Sequence, residues 1–300
     1  MKTPVAFIIF KRPDTTEKVF EAIRQAKPSK LFVIADGARD ERPGEEKKCE
    51  DTRAIIDKVD WECEVLKNYS PINLGCGRRV ASGLDWVFQN VEEAIILEDD
   101  CVPHPSFFPF CEELLQIYKY DERIMSIGGL SIPHKKNQAD YSYHFSLYPR
   151  IWGWATWRRA WKYFDFDMKL WPELRNINLL ASLFKDNKTV NHWTKIFQST
   201  YEKRKNVWGY QWTFACWFQN GLTIIPCANL VRNIGFGEDA TNTIYLDEFR
   251  SQAILEKMNF PLQHPPFVTR DFQTEEWLQN NIHNHSFIRR FSQKISKILK

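Results

Sequence analysis

The stretch Ala94-Ile95-Ile96-Leu97-Glu98-Asp99-Asp100 decides how the rest of the chain is read. Four apolar residues run straight into three consecutive carboxylates. A short apolar run of this kind predicts a buried strand, most naturally in a parallel sheet. Adjacent acids repel one another, so three in a row call for solvent, a cation or both. Ligands of open α/β sheets bind just past the carboxyl ends of the strands. Carboxylates at that position suit a hard divalent cation and, through it, a diphosphate. Taken alone, the tripeptide is equally compatible with an acidic turn ahead of the helix that begins near Pro105.

Upstream, the pattern alternates. Val5 to Phe10 predicts a buried strand, broken by Lys11-Arg12-Pro13-Asp14, and Thr15 to Ala26 carries helical spacing at Val19, Phe20 and Ile23. Leu31 to Ala35 is a second strand, ending at Asp36-Gly37. Strand, helix, strand implies a right-handed crossover and parallel pairing. The first strand-to-helix turn has no G-x-G-x-x-G, which argues against a dinucleotide-binding Rossmann domain. Arg39 to Arg53 reads as a solvated loop and helix face. Cys63 to Leu66 is a third strand. Asn73-Leu74-Gly75-Cys76-Gly77-Arg78-Arg79 then leads into a helix through Leu84, Val87 and Phe88. Its two glycines either free helix-start N–H groups for an anion or serve only a tight turn. Charge and place make Arg79 a candidate diphosphate partner. Downstream of the acids, Ser106 to Tyr120 reads as an amphipathic helix and Ile124 to Ile127 as a strand closing at Gly128-Gly129.

The second half changes character. Trp152-Gly153-Trp154-Ala155-Thr156-Trp157 predicts the opening of a helix through Trp161 and Phe164. Helical, polar-aromatic sequence continues to Phe218 and includes Trp208-Gly209-Tyr210-Gln211-Trp212. Leu222 to Ile225 is a strand. Asn233 to Thr241, with Gly235, Gly237, Glu238 and Asp239, reads either as a glycine-hinged lid or as a plain surface loop. The expected organisation is an α/β half over residues 1–130, a second half of the same body over 131–285, and a tail over 286–300. In that tail Phe287, Ile288, Phe291, Ile295, Ile298 and Leu299 share a helical face, with Arg289, Arg290, Lys294, Lys297 and Lys300 around it. The pattern suits a helix lying on an anionic membrane surface; the alternative is a helix docked on the body through the same face.

Composition bounds these readings. Three hundred residues suit one large domain or two small ones, and 43% hydrophobic content supports a real core. A net charge of +3 implies no nucleic-acid partner. Most of the twelve tryptophans are expected in the core, and such a surplus also suits a site that stacks on sugar rings. Seven scattered cysteines, without C-x-x-C or zinc spacing, read as reduced thiols of a cytoplasmic protein. The apolar run at the start is too short for a signal peptide, and no stretch approaches the ~20 apolar residues of a membrane span.

Together these residues resemble the GT-A-type glycosyltransferases, in particular the N-acetylglucosaminyltransferase I group and related bacterial nucleotide-diphospho-sugar transferases. The likeness rests on the first strand ending at Lys11-Arg12-Pro13, the second ending at Asp36, and Glu98-Asp99-Asp100 followed by Pro103 to Phe110. The Gly153-Trp154 segment and the Gly235 to Thr241 loop follow in the family's order. The resemblance implies a mixed sheet flanked by helices, with an aromatic-rich acceptor half. It implies that Arg12 and Asp36 contact the nucleotide, Asp36 at the base, that Glu98 lies near the donor sugar, and that Asp99 binds ribose. Asp100 would ligate Mn²⁺ (or Mg²⁺) bridging the diphosphate. It also favours a UDP-sugar donor and a glycan acceptor in polysaccharide synthesis, while the basic tail suggests a lipid-linked glycan acceptor and peripheral placement at the inner membrane face.

One departure matters. The family's Trp-Asp-Asp-Trp run, which carries the catalytic base, corresponds here to Trp208-Gly209-Tyr210-Gln211-Trp212, which has no carboxylate. Glu238 and Asp239 are the substitute candidates, with Asp165 and Asp167 behind them, for a proton transfer typically worth about 10²–10⁴-fold. Trp154, Trp208 and Trp212 are candidates for stacking on acceptor sugar, against a core role for each. The expected reaction is transfer to a hydroxyl with inversion. The rival readings are a sugar nucleotidyltransferase, disfavoured by the first turn, and a non-catalytic glycan-binding protein, disfavoured by retention of the acids.

Overall fold

Val5–Ile9 forms β1, and all five of its residues are buried. Strand alternation sends Val5, Phe7 and Ile9 to one face of the sheet and Ala6 and Ile8 to the other. Both faces are apolar because helices cover both, as a parallel sheet requires. The computed structural model describes residues 1–132, 141–204, 206–236 and 254–280.

After β1 the chain enters α1 (Pro13–Ala26), with proline in the first turn, where its missing N–H is no loss. β2 (Lys30–Ala35) returns parallel to β1, with Val5 opposite Leu31. Then come α2 (Glu45–Ala54), β3 (Glu64–Tyr69), parallel to β2, and α3 (Gly75–Asn90). β4 (Glu93–Glu98) crosses back to pair with β1 on its other side, with Val5 opposite Ile95. The chain has thus stepped outward from β1 through β2 to β3 and then reversed to β4. Such a reversal opens a crevice at the carboxyl ends of the two strands it separates, here β1 and β4.

The remaining elements extend the same sheet. They are β5 (Cys101–Pro103), α4 (Phe107–Ile117), β6 (Ile124–Gly128), β7 (Tyr143–Ser146) and β8 (Trp154–Trp157). Five helices follow: α5 (Arg158–Trp161), α6 (Trp171–Asn176), α7 (Leu180–Leu183), α8 (Asn187–Tyr201) and α9 (Gly209–Phe218). β9 (Leu222–Pro226), β10 (Val231–Asn233) and α10 (Phe272–Leu278) complete the set. The strand order is β3-β2-β1-β4-β8-β6-β9-β7, with β8 antiparallel to both β4 and β6. The fold is therefore a mixed eight-stranded α/β sheet that draws strands from both halves of the chain. A separate antiparallel ladder pairs β5 with β10 and sets Cys101 opposite Asn233.

Two apolar layers hold the sheet. Val19, Phe20 and Ile23 of α1 and Phe107, Phe110 and Leu114 of α4 pack on Val5, Phe7 and Ile9. On the other face, Val80, Leu84 and Val87 of α3 pack on Ala6 and Ile8, and this layer runs on into Trp154, Trp161, Trp208 and Trp212. Each such fully buried side chain contributes about 1.5–3 kcal/mol. At Gly83 the helix lies so close to β2 that a Cβ would sit 2.5 Å from Ile34 Cγ2.

The expected helix at 152–157 is instead β8. Gly153 has φ +58°, which no helix accommodates, and β4 needs a partner along the edge that Trp154 to Trp157 fill. The seven cysteines are free thiols. Among the described residues no helix is long and apolar enough to cross a membrane. The tail, 286–300, lies outside the described residues.

Candidate active site

The crevice between β1 and β4 is where the charges converge. Arg12, the residue before α1, and the Asp99-Asp100 turn after β4 meet there. Arg12 Nη2 donates to Asp100 Oδ2 at 2.9 Å and also to Asp99 Oδ1. The Phe10 amide donates to Asp99 Oδ2 at 3.2 Å, so the end of β1 is tied to the same acid. Asp99 is buried, and Glu98 and Asp100 are half-buried. Burial, then Asp100 and Asp99, push the Glu98 carboxyl well above the usual range. Burial raises Asp99 as well, against the opposing pull of Arg12. Burial works against the Arg12 charge, but Asp99 and Asp100 more than offset it and hold the guanidinium above its ordinary value.

A third strand closes on this cluster. Asn233, at the end of β10, donates through Nδ2 to Asp100 Oδ1 at 3.1 Å, and the Ile234 amide donates to the Asp100 carbonyl at 2.8 Å. The Gly235 amide bonds Asn233 Oδ1 at 2.8 Å. A Cβ on Gly235 would lie 2.0 Å from Asp100 Oδ2 and 2.6 Å from Arg12 Nη1, so only glycine fits there. Phe236 packs edge-on against the half-buried Trp152, with ring centroids 5.8 Å apart. The next residues, including Glu238 and Asp239, lie outside the described residues.

Asp36 is placed at the neighbouring strand end, but its oxygens are engaged. It is 4% exposed and accepts the amides of Gly37, Leu74 and Gly75 at 3.0, 2.9 and 2.9 Å. Burial raises its carboxyl, and those three amides oppose the rise. The start of α3 is further closed by Asn206, whose Oδ1 accepts the Gly77 amide at 2.8 Å. The expected anion site at this helix start is therefore filled by Asp36 and Asn206.

Burial bears on two of the expected site assignments, those of Arg79 and of the three tryptophans. Arg79, the expected diphosphate partner, is turned inward rather than presented at the crevice. It is 4% exposed and donates to the Ala35 carbonyl at 3.0 Å and to Asn68 Oδ1 at 2.8 Å, bracing the ends of β2 and β3. Trp154, Trp208 and Trp212 are 0%, 3% and 0% exposed, with Trp154 stacked on Trp208 at 5.6 Å and packed on Trp212 at 5.4 Å. They pack in the core layer on the α3 face of the sheet. Of the reserve acids, Asp165 caps its own turn through the Asp167 and Lys169 amides, and Asp167 pairs with Lys203 at 3.0 Å.

Other residues were missed. Glu45 is buried and bonds Lys11 at 3.0 Å and Arg39 Nε at 2.9 Å. Although burial opposes it, Arg39 and Lys11 hold its carboxyl down at about 2. This cluster fixes the Lys11 end of β1, and nothing in the mixed-charge run from Arg39 to Arg53 distinguished Glu45 from its neighbours. Trp152 was passed over within a tryptophan-rich run. The β4–β8 register, with Ile96 opposite Trp154, brings it to the Glu98 end of the sheet.

Among the described residues no group of three or more His, Cys, Asp or Glu side chains is arranged to hold a metal ion. The donor set fits the other mode open to Mg²⁺ or Mn²⁺, in which one carboxylate binds together with substrate phosphates. Asp100 is half-buried at the crevice, and its two oxygens accept from Arg12 and Asn233. A cavity of about 230 Å³ lies elsewhere, between α1 and α4, lined by Met1, Ala22, Phe108 and Glu112 among others.

No protein-family model matches the chain, and no curated protein sequence matches it either. Among solved structures it is similar to TarS of S. aureus, at 10% identity over 55% of this chain and a TM-score of 0.38. The chain spans 30% of the length of that protein. It is also similar to a UDP-glucose pyrophosphorylase complexed with UDP-glucose, at 11% identity, over 54% of this chain and 79% of that one, with a TM-score of 0.33. A third likeness is to 4-diphosphocytidyl-2C-methyl-D-erythritol synthase from Anaerococcus prevotii, at 10% identity, over 54% of this chain and 73% of that one, with a TM-score of 0.33. At these scores the likeness is one of coarse, partial shape.

The core assignment of the tryptophans has a direct consequence. Trp212→Ala is expected to destabilise the protein by about 3–5 kcal/mol in urea unfolding. A loss under about 1 kcal/mol, with weakened acceptor binding, would return Trp212 to the site.

Proposed function

We propose that this chain is a glycosyltransferase of the GT-A kind, moving a sugar from a nucleotide-diphosphate donor, UDP favoured, to a hydroxyl of a glycan. The observation that carries this reading is the meeting of Arg12 with Asp99 and Asp100 at the chain reversal between β1 and β4. That is where an open α/β sheet receives a ligand. The combination of a bidentate cation and a carboxylate suits a diphosphate that is to become a leaving group.

The residues then divide the work. Arg12 binds the diphosphate through its planar fork. Asp99 takes ribose hydroxyls, and Glu98 faces the donor sugar. Asp36 stands beside the base and ties the Gly37 turn to Leu74 and Gly75 at the start of α3. Asp100, together with the diphosphate, would hold Mn²⁺ or Mg²⁺, and the cation would supply Lewis-acid stabilisation of the departing charge, worth several kcal/mol. Asn233 and Gly235 keep Asp100 oriented and leave no side chain in its way. Glu238 and Asp239 are the proposed bases for the acceptor hydroxyl, and attack from the far face inverts the anomeric centre. The basic tail is proposed to rest on an anionic membrane surface, which would present a lipid-linked glycan acceptor.

Incubation with Mn²⁺, a panel of nucleotide-sugars and glycan acceptors tests the reading. Wild type should turn over one donor, Asp100→Ala should be slower by at least about 100-fold, and proton NMR of the first product should show inversion. No turnover of any UDP-, GDP-, CMP- or dTDP-sugar would count against a transferase, and retained configuration against the inverting mechanism. For the tail, full-length protein should sediment with anionic liposomes and a chain ending at 286 should not. Equal sedimentation of the two, or none by the full chain, would remove the membrane partner.

A further inference from the structure

Arg12 occupies the very oxygen a cation would need. Its Nη2 bonds Asp100 Oδ2 at 2.9 Å, and the other Asp100 oxygen is taken by Asn233 at 3.1 Å. The guanidinium also pairs with Asp99, and the backbone of Gly235 packs directly on the Arg12–Asp100 contact. Asp99 and Asp100 therefore share one positive charge, and that charge belongs to the chain itself. A divalent cation can reach Asp100 Oδ2 only if Arg12 leaves it. A diphosphate offers the guanidinium a more highly charged bidentate partner than either carboxylate.

We propose that Arg12 is a resident counter-ion that keeps Asp100 closed to divalent cations and releases it when a diphosphate draws the guanidinium away. Rested on the functional reading above, this gives the site an order: diphosphate engages Arg12, and the cation then takes the vacated face of Asp100. The cation and the donor enter as a pair, and Asp99 and Asp100 are never left facing each other without a positive charge. Arg12 is thus a positioning residue for Asp100 as well as a ligand of the diphosphate.

The test uses the full chain and two probes kept apart: Mn²⁺ alone, followed by the electron paramagnetic resonance of the free ion, and inorganic pyrophosphate alone, followed by calorimetry without metal. Arg12→Gln should bind Mn²⁺ at least about tenfold more tightly than wild type, the scale set by removing one opposing charge at contact distance. The same variant should bind pyrophosphate more weakly. Opposite signs are the signature, since a residue that merely supported the fold would weaken both. Unchanged or weaker Mn²⁺ binding by a folded Arg12→Gln, while Asp100→Ala still abolishes it, would overturn the counter-ion role and leave the transferase reading standing. Mn²⁺ binding to none of these proteins, with or without UDP, would overturn both. If thermal melting shows Arg12→Gln unfolded, Arg12→Lys and Arg12→Met decide. Because one nitrogen, Arg12 Nη2, makes both carboxylate contacts, an ammonium can replace it. The lysine variant should therefore leave Mn²⁺ binding near wild type, while the similarly sized but uncharged Arg12→Met raises it at least about tenfold. No rise with a folded Arg12→Met overturns the proposal.

Discussion

The guanidinium of Arg12 lies between two carboxylates from another strand, and the arrangement of the site follows from that placement. Three consecutive acids at the mouth of a buried strand repel one another strongly, and burial sharpens the repulsion. A cation on the adjacent strand end relieves it. Arg12 is brought there by two local facts. β1 ends one turn before it, and Pro13 starts α1 immediately after it, which confines the preceding residue to an extended conformation. The Phe10 amide then bonds Asp99, so the ends of β1 and β4 are joined through both main chain and side chain. The β5–β10 ladder completes the junction by delivering Asn233 and Gly235 onto Asp100.

Around this junction the protein spends its polar groups in two ways. Asp36, Arg79, Arg53 and Asn206 are directed inward, each bonding main-chain groups at the ends of β2 and β3 or the start of α3. They make a floor beneath the crevice, in which Asp36 and Arg79 are buried, Arg53 is half-buried and Asn206 closes the start of α3 from the surface. Arg12, Glu98 and Asp100 retain partial exposure at the crevice. The aromatic surplus divides along the same line. Trp154, Trp161, Trp208 and Trp212 fuse into one core layer, while Trp152, separated from Trp154 only by the left-handed Gly153, packs with Phe236 at the open end.

Much of this was legible in the sequence. β1, β2, β4 and β6 are mainly apolar runs, each placed to within a residue, whereas β3, with polar residues among its apolar ones, runs three residues beyond the expected Leu66. The acid triplet was legible because charge at the end of a buried strand is costly without a function. The second half was harder for physical reasons. Trp154 to Trp157 forms a strand only because β4 offers it an edge, and a short aromatic run carries no period that separates strand from helix. The short strands β5, β7 and β10 have too few residues to show alternation. Burial of an arginine or a tryptophan depends on what packs over it, which is why Arg79 and the three tryptophans read as site residues. Glu45 differs from Glu46 only in facing Lys11 and Arg39, a property of the fold rather than of the run.

The central claim is that Asp100 belongs to a cation-assisted diphosphate site. Calorimetric titration of UDP into wild type and Asp100→Ala, each with and without Mn²⁺, tests it most directly. The account predicts that Mn²⁺ strengthens UDP binding to wild type and that Asp100→Ala loses this dependence. UDP binding that is indifferent to Mn²⁺ and to Asp100, or no UDP binding by wild type at all, would contradict it.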